Sequence, residues 1–312
     1  MSGARGGPSG PSGAAALESR LAIPAIVAPM FLVSGPDLVT ACCAAGLLGT
    51  FPALNQRTTE GFDAWLTEIE TRLAAVPGAA PYGVNLIVHK SNPRVAADLE
   101  RIVAHKVPLV ITSLGAVPDV VDAVHSYGGL VFHDVTTIRH AQKALSAGVD
   151  GLIAVAAGAG GHAGTLSPFA LVAEIREFFD GPLALSGSIT QGRQIAAAEM
   201  MGADFAYIGT HFIAAEESLA SAAQKAMMAE STAADVRYTD AVTGIGANFL
   251  APSLEAATLP DGHGGLSLTD EAKAWKTVWS AGHGVGATHG VRPARVLCED
   301  LIAGYRAARG AA

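Results

Sequence analysis

The chain of 312 residues is long enough for two domains or for one large α/β barrel, and its hydrophobic fraction of 50% excludes a disordered chain. Its net charge of -8 argues against nucleic-acid binding as the main task, because such a surface repels phosphate groups. Three cysteines cannot build a disulfide framework, no Cys/His spacing indicates a zinc site, and no apolar run reaches the roughly 18 residues of a membrane-spanning helix.

The first 19 residues are rich in glycine, serine, proline and alanine. Such a segment buries too little apolar surface to offset the entropy lost on ordering, so residues 1–19 are expected to form a disordered tail. The segment also lacks the apolar stretch of roughly 7–15 residues that a secretory signal peptide contains. With few cysteines and no signal peptide, a reduced, cytoplasmic location is expected.

From residue 23 onward, short apolar segments alternate with segments of helical periodicity. Eight strands are predicted, at residues 26–29, 47–51, 82–86, 108–112, 130–133, 151–155, 183–186 and 205–208. Helices are predicted between them at residues 36–45, 94–105, 138–147, 169–179 and 192–201. Glycine follows three of these helices, at Gly46, Gly148 and Gly202, as is usual where a helix leads into a strand.

The predicted strands are continuous apolar runs rather than alternating ones, which indicates a parallel sheet buried on both faces by helices. Eight such units in series predict an α/β fold of the (β/α)8, or TIM, barrel type. The alternative is an open doubly wound sheet, whose first turn carries the motif G-x-G-x-x-G. The first turn here, Ala28-Pro29-Met30-Phe31, contains no glycine, which favours the barrel.

The chain after the eighth strand is longer than one closing helix requires. An alanine-rich helix is predicted at residues 212–228, glycine-rich loops at 261–267 and 280–288, and a closing helix at 293–307. We interpret residues 20–230 as the barrel and residues 231–312 as a C-terminal appendage packed on it.

The loop after the sixth strand contains a single histidine, His162, among four glycines. Loops that follow barrel strands build the active site of this fold, and glycines let the backbone approach a ligand closely. A neutral histidine there could take a proton or hydrogen-bond an anionic substrate. The alternative is a glycine-rich turn in which the histidine has no function.

The loops after strands seven and eight have the small residues of a phosphate site: Ser186-Gly187-Ser188-Ile189 and Gly209-Thr210. Because no Lys or Arg occurs in residues 186–190 or 207–217, backbone dipoles and hydroxyl groups would hold the anion, with help from His211 or Arg193. Ordinary turn chemistry is the alternative, since it also uses glycine and serine.

Three other strands end in polar or polarisable residues. Met30 follows the first strand and could lie beside a flat ring or simply fill the core. Asn85 lies in the third strand, where a buried amide needs partners from a heterocycle or from the protein itself. The fifth strand ends in His133-Asp134, and alternation allows only one of the two to point into the barrel.

The chain resembles the nitronate monooxygenases, formerly called 2-nitropropane dioxygenases, over about residues 20–307. The resemblance is carried by Gly160-Gly161-His162-Ala163-Gly164 together with the two phosphate turns. Ala28-Pro29-Met30, Gly83-Val84-Asn85-Leu86 and residues 249–254 and 279–284 match as well. The resemblance implies an FMN-containing TIM barrel that oxidises alkyl nitronates with molecular oxygen.

The resemblance also implies roles for individual residues. His162 would be the catalytic base or a substrate-binding histidine, and the turns after strands seven and eight would hold the flavin phosphate. The expected cofactor-binding residues are Ala28, Pro29, Met30, Asn85, Asp134, Gly160, Gly161, Gly187, Ser188, Ile208, Gly209 and Thr210.

Four positions depart from the family pattern. Val155 stands where the family commonly has Gln, and Asp134 stands where some members have Lys. Ser188 replaces a frequent second glycine, and His211 replaces a frequent Arg. The loss of that Lys and that Gln changes the polar surroundings expected for a flavin.

Two alternative functions stay open because a shared fold does not decide among them. One is an FMN-dependent NAD(P)H oxidoreductase acting on an enoyl thioester or a quinone, and the other is a non-redox barrel that binds a phosphorylated ligand. In each case the partner is a small molecule, joined by molecular oxygen in nitronate oxidation. Nucleic acid and membrane are not expected as partners, and a homo-oligomer is left open.

Overall fold

The computed structural model describes residues 11–242, 244–257 and 277–310. Eight parallel strands close into a barrel in chain order, which confirms the predicted TIM barrel. Each observed strand overlaps a predicted one. The barrel strands are β1 (Ala25–Val27), β2 (Leu48–Pro52), β3 (Gly83–Ile87), β4 (Leu109–Ser113), β5 (Leu130–Val135), β6 (Gly151–Val155), β8 (Leu183–Ser186) and β9 (Phe205–Ile208).

Helices connect successive strands along the outside of the barrel. They are α2 (Pro36–Ala44), α3 (Thr59–Ala74), α4 (Val95–Ala104), α5 (Pro118–His125), α6 (Ile138–Ser146), α7 (Pro168–Arg176) and α8 (Gly192–Met200). Two of them, α3 and α5, are additional to the predicted helices. Among the described helices, none is long and apolar enough to cross a membrane.

The single long helix predicted at residues 212–228 is wrong. The chain forms a short helix, α9 (Thr210–Ile213), and a separate helix, α10 (Ala222–Glu230). Ser221 caps α10 by accepting a hydrogen bond from the backbone N–H of Gln224 at 3.1 Å. The Lys225 ammonium donates to the carbonyl oxygens of Glu216 and Ser218, each at 3.1 Å. These contacts fix a turn where alanine content alone favoured a continuous helix.

A repeated Gly-x-Asp sequence connects two helices to the strands that follow them. Gly148 and Gly202 adopt left-handed φ values of 89° and 103°, which glycine tolerates after a helix. Asp150 then accepts a hydrogen bond from the N–H of Val131 at 2.7 Å. Asp204 likewise accepts a hydrogen bond from the N–H of Leu183 at 2.8 Å. Both carboxylates thus tie the start of one strand to its neighbour and help to set the register of the barrel.

The expected disorder of residues 1–19 is wrong for residues 11–18, which form helix α1 (Pro11–Glu18). Leu17 is 5% exposed and packs with Leu21 against the apolar interior of the barrel, which includes Ile26 and Phe205. Burial of this leucine offsets the entropy that the segment loses when it forms a helix, a tertiary contribution that its composition did not indicate. Residues 1–10 lie outside the described part of the chain.

The C-terminal part contributes a closing helix, α12 (Ala294–Ala308), which packs against α8 and α2. Glycine is required where α12 and α8 meet, because a Cβ on Gly192 would lie 2.1 Å from the backbone nitrogen of Tyr305. The predicted closing helix is therefore present and completes the helical layer around the barrel. The division of the chain between residues 230 and 231 stays a prediction.

A small antiparallel sheet covers the loop after β6. Its strands are β10 (Val236–Thr239), β11 (Ala247–Leu250) and β7 (Gly161–His162), in the order β10-β11-β7. A short helix, α11 (Ala251–Ala256), follows β11, and a 3-10 turn at His283–Ala287 lies within the predicted loop 280–288. The loop predicted at residues 261–267 lies outside the described residues.

Candidate active site

A cavity of about 700 Å³ opens at the carboxyl ends of the barrel strands. This volume lies in the range of small-molecule sites, and this end of the barrel is where such folds place their active sites. All but one of the predicted site residues line the cavity: Ala28, Pro29, Met30, Asn85, Asp134, Gly160, Gly161, His162, Gly187, Ser188, Gly209 and Thr210.

Ile208 is the predicted site residue that does not line the cavity. Its side chain is buried in the apolar core between the barrel and its helices, and the neighbouring Tyr207 lines the cavity instead. Successive side chains on a strand face opposite ways, so a motif can be placed correctly while one of its side chains points outward. Period-two alternation along β9 is the signal that could have identified Tyr207.

His162 is held by the small sheet and not by its own loop alone. As part of β7 it pairs with Ala247 of β11. The amide of Asn248 donates to the carbonyl oxygen of Ala159 at 2.7 Å, which fixes the loop just before the histidine. Burial lowers the pKa of His162, so its imidazole is neutral near pH 7. A neutral imidazole at the cavity wall can accept a proton or donate a hydrogen bond.

The glycines of this loop allow close contact with the C-terminal segment. A Cβ on Gly160 would lie 2.8 Å from the backbone nitrogen of Gly282, and Gly161 has a left-handed φ of 69°. The N–H of Gly282 in turn donates to the hydroxyl oxygen of Thr210 at 2.8 Å. The loop after β6, the turn after β9 and the C-terminal segment therefore form one packed wall of the cavity.

The two predicted phosphate turns lie side by side at the ends of β8 and β9. Gly187 and Ser188 have positive φ values of 142° and 59°, so the backbone after β8 turns sharply at the cavity wall. Thr210 accepts the bond from Gly282, which leaves its hydroxyl proton for another acceptor. Backbone groups and hydroxyls arranged in this way suit an anion without a cationic side chain.

His211, which the sequence suggested as a helper at these turns, does not line the cavity. Its Nε2 atom has no hydrogen-bond partner within the described chain, and burial lowers its pKa to about 4. Asp300 and Arg292 are the charged groups near it. Arg193 does not line the cavity either. The anion contacts suggested for these two residues are therefore not supported.

A hydrogen-bonded chain of three side chains runs from β3 to β5. The amide of Asn85 donates to the Ser113 hydroxyl at 2.7 Å, and Ser113 donates to Oδ2 of Asp134 at 2.5 Å. The other carboxyl oxygen of Asp134 has no hydrogen-bond partner in the described chain. Burial raises the pKa of Asp134 to about 6, although the bond from Ser113 lowers it. The cavity wall thus contains a carboxyl group that titrates close to neutral pH.

Both His133 and Asp134 line the cavity, although alternation places their side chains on opposite faces of β5. The cavity reaches both because it extends past the end of β5 towards α6, where Thr136, His140 and Lys143 line it. Sequence reasoning missed Thr136 and the α6 residues His140 and Lys143, together with Ser113 and Tyr207. Val155, one of the departures from the family pattern, also lines the cavity.

The fold and the cavity together define a TIM-barrel enzyme whose active site lies at the ends of the barrel strands. The sequence model of the nitronate monooxygenase family matches residues 92–256, more than half of the chain. The chain therefore belongs to the nitronate monooxygenase family, a flavin-dependent family of oxidoreductases.

The relatives with similar sequences are named for different activities. Rv1533 of Mycobacterium tuberculosis, which carries a provisional monooxygenase name, is 33% identical over 149 residues. An octahydro-indene-carboxyl-CoA dehydrogenase of Rhodococcus jostii is 27% identical over 195 residues. These matches cover 47% and 62% of this chain but only 40% and 53% of those proteins. The chain therefore spans about half the length of these two relatives.

A nitronate monooxygenase of Paraburkholderia phytofirmans is 28% identical over 280 residues, which cover 75% of each chain. A nitroalkane oxidase from Streptomyces ansochromogenes has the same fold, with a TM-score of 0.80 and 28% identity. That superposition covers 95% of this chain and 99% of the oxidase. The likeness thus extends across the barrel and the C-terminal part.

Proposed function

We propose that the chain binds FMN in the cavity at the barrel mouth and oxidises alkyl nitronates with molecular oxygen. The observation that carries this proposal is the placement of His162, neutral and held by a second sheet, in the same cavity as the turns after β8 and β9. The family membership and the likeness to a nitroalkane oxidase support the same activity.

The cavity residues fit a flavin phosphate and a planar ring. Gly187, Ser188, Gly209 and Thr210 offer backbone dipoles and hydroxyls for the phosphate, and a Cβ on Gly209 would meet nothing closer than Ala28 at 3.5 Å. Space therefore exists for a ligand to approach that glycine. Met30 offers a polarisable surface beside it, and Asn85 and Asp134 offer polar atoms at the other strand ends.

FMN supplies the redox chemistry when bound, and the protein supplies binding, orientation and proton transfer. A nitronate is an anion, so the imidazole N–H of His162 would donate a hydrogen bond to a nitro oxygen. For a neutral nitroalkane, the same imidazole would instead take the proton from the α-carbon. Burial keeps His162 neutral, so its ring has one N–H that can donate a hydrogen bond and one nitrogen that can accept a proton.

Comparison of wild type with His162→Ala tests the role of the histidine. We expect the variant to retain flavin but to lose about 100-fold or more in nitronate-dependent oxygen consumption, the usual contribution of a positioned acid or base. Flavin content per chain, measured in parallel, is the control for an intact cavity. Equal turnover by the two proteins would remove His162 from the mechanism.

A second function is favoured by the likeness to the Rhodococcus jostii CoA-ester dehydrogenase and by the extension of the cavity towards α6. It is an FMN-dependent NAD(P)H oxidoreductase acting on an enoyl thioester or a quinone. Anaerobic bleaching of the flavin absorption separates the two functions. Bleaching by a nitronate but not by NADH or NADPH supports nitronate oxidation, and rapid bleaching by a pyridine nucleotide supports the second function.

A further inference from the structure

The mouth of the cavity is divided into a polar half and an apolar half. Every ionisable side chain among the described lining residues belongs to β5 or to a later part of the chain, and Asp134, Lys143 and His162 are among them. The ends of β1, β2, β3 and β4 contribute two polar side chains to the cavity, Asn85 and Ser113, and no ionisable one. One aliphatic side chain from each of these four ends forms what we call the apolar wall: Leu32, Leu54, Ile87 and Leu114.

Two members of the apolar wall adopt a backbone conformation that leucine rarely takes. Leu32 has a φ of 59° and Leu114 a φ of 60°, in the left-handed region that crowds a side chain against its own backbone. The other described non-glycine residues with positive φ are Ser188 and Lys106, and of the four only Lys106 does not line the cavity. Strain of this kind persists where the surrounding structure enforces it, and it is concentrated at ligand sites.

The conformation of Leu32 is enforced by Asn55, in a 3-10 turn after β2 (Ala53–Asn55). The N–H of Leu32 donates to Oδ1 of Asn55 at 2.8 Å. The Asn55 amide in turn donates to the carbonyl oxygens of Met30 and Ser34 at 3.1 and 2.7 Å. The N–H of Met30 also donates to the hydroxyl oxygen of Ser34 at 3.0 Å. The loop after β1 is therefore fixed as a unit, with Leu32 held at the cavity.

The apolar wall does not serve the hydrophobic core. None of its four side chains packs into a core cluster of the described chain, and Leu114 is 36% exposed. A strained and exposed leucine gains little from folding, whereas an apolar ligand laid against it would remove aliphatic surface from water. Four such side chains on consecutive strands offer a continuous surface of this kind inside the cavity.

We propose that the apolar wall binds the hydrocarbon chain of the substrate and so determines which nitronates the enzyme accepts. The proposal rests on the proposed function, in which the nitronate group lies beside His162 in the polar half of the mouth. It narrows the substrates to nitronates whose chains are apolar and carry no charge at the far end. A charged end would lose its hydration against the apolar wall without gaining a partner, because Lys143 lies in the other half.

Nitronate-dependent oxygen consumption with ethyl, butyl and hexyl nitronates tests the proposal, and a hexyl nitronate that ends in a carboxylate is the charged counterpart. We expect kcat/KM to rise about threefold to fourfold for each added methylene, as burial of that group predicts. The carboxylate-ended chain should react at least about tenfold more slowly than the hexyl chain. Equal kcat/KM across the uncharged series, or a preference for the charged chain, would overturn the proposal.

Leu114→Asn separates chain binding from a structural role. Asparagine has the branched outline of leucine and tolerates the left-handed conformation, so the variant should be at least as stable to urea as wild type. We expect its preference for hexyl over ethyl nitronate to fall about tenfold or more. Loss of stability with an unchanged preference would overturn the proposal, since Leu114 would then serve the fold.

Lys106→Asn is the matched control. Lys106 has a φ of 49°, is exposed before β4 and does not line the cavity, so the variant relieves the same kind of strain without touching the apolar wall. Its chain preference should equal that of wild type. Loss of bound FMN from Leu114→Asn would overturn the proposal, because this leucine would then hold the cofactor.

Calorimetric titration with hexanol distinguishes a failure of the apolar wall from a failure of the proposed function. Hexanol should bind more weakly to Leu114→Asn than to wild type and Lys106→Asn. If no nitronate were turned over but hexanol binding followed this order, the proposed function would be refuted and the apolar wall would stand as a chain-binding site. Equal hexanol binding by all three proteins would overturn the apolar wall.

Discussion

Asp134 is the cavity residue whose ionisation the fold controls most directly. Its carboxyl group is buried, receives one hydrogen bond from Ser113 and leaves its other oxygen without a partner in the described chain. Within the described part of the chain no cation lowers the pKa of this carboxyl group: burial raises the pKa, and the bond from Ser113 lowers it only in part. Burial therefore favours the protonated acid, and the ionised form carries an unfavourable desolvation energy.

The raised pKa of Asp134 predicts a pH-dependent stability for the flavin-free protein. The folded state binds this proton more tightly than the unfolded state, so the stabilisation is complete below the unfolded value of 3.8 and is lost as the pH rises through about 6. The Asp134→Asn variant has no carboxyl group to ionise at this position, so it does not lose this stability as the pH rises. We expect the variant to gain up to about 3 kcal/mol on wild type between pH 4 and pH 8, since one pKa unit corresponds to roughly 1.4 kcal/mol.

Urea unfolding of both proteins at pH 4 and pH 8 measures the effect. The difference between the two proteins isolates Asp134, because His133 and His211, whose pKa values burial lowers, titrate in both. A stability difference that does not change with pH would show that the carboxyl is ionised at little cost in the folded chain.

Gly209 provides the sharpest test of the phosphate turns. Its φ of -108° suits any residue, and an added Cβ would meet Ala28 and Met30 at 3.5 and 3.6 Å, which is ordinary contact. Gly209→Asp should therefore fold, yet its carboxylate would repel and displace the phosphate. We expect the variant to lose its FMN. The binding free energy should weaken by several kcal/mol if two charge-assisted hydrogen bonds of roughly 1.5–3 kcal/mol each disappear.

Flavin stoichiometry after gel filtration measures this loss, and Gly209→Ala is the matched control that adds the Cβ without the charge. Circular dichroism verifies that both variants fold. If a folded Gly209→Asp protein kept its full flavin content, the phosphate would have to bind away from the ends of β8 and β9.

At the scale of elements, α1 acts as a cover for the amino-terminal end of the barrel, through Leu17. Leu17→Ala should destabilise the protein by about 2 kcal/mol, the lower end of the range for buried leucines, because the site lies at the end of the core. Met200→Ala on α8 is the control, since that side chain is 86% exposed. Chemical denaturation measures both, and equal midpoints for the two variants would show that α1 adds no stability.

The elements that local sequence determines were predictable. Continuous apolar strands, the glycines at Gly148 and Gly202 and the turns at Gly187 and Gly209 each depend on neighbours in the chain, and the barrel follows from their order. The break between α9 and α10 was missed because a serine cap and the contacts of Lys225 outweigh the helix propensity of alanine. The order of α1 was missed because burial of Leu17, a tertiary contact, supports it.

At the scale of the whole molecule, the unpredicted supports of the cavity join distant parts of the chain. Asn248 reaches Ala159 and Tyr238 reaches Ala163, so the sheet that holds His162 is built from segments about 75 to 89 residues apart. The contribution of α6 to the cavity likewise depends on how the helix packs on β5. Sequence reasoning therefore located residues at the ends of the barrel strands, but it found neither the α6 part of the cavity wall nor the sheet that holds His162.

The visible absorption spectrum of the purified protein, with flavin counted per chain, tests the central claim most directly. We expect absorption near ~450 nm and about one FMN per chain, because the phosphate turns, Met30 and the polar strand ends suit an oxidised flavin that supplies the redox chemistry. A colourless protein that gains no flavin spectrum when FMN is added would contradict the claim and favour a barrel that binds another phosphorylated ligand.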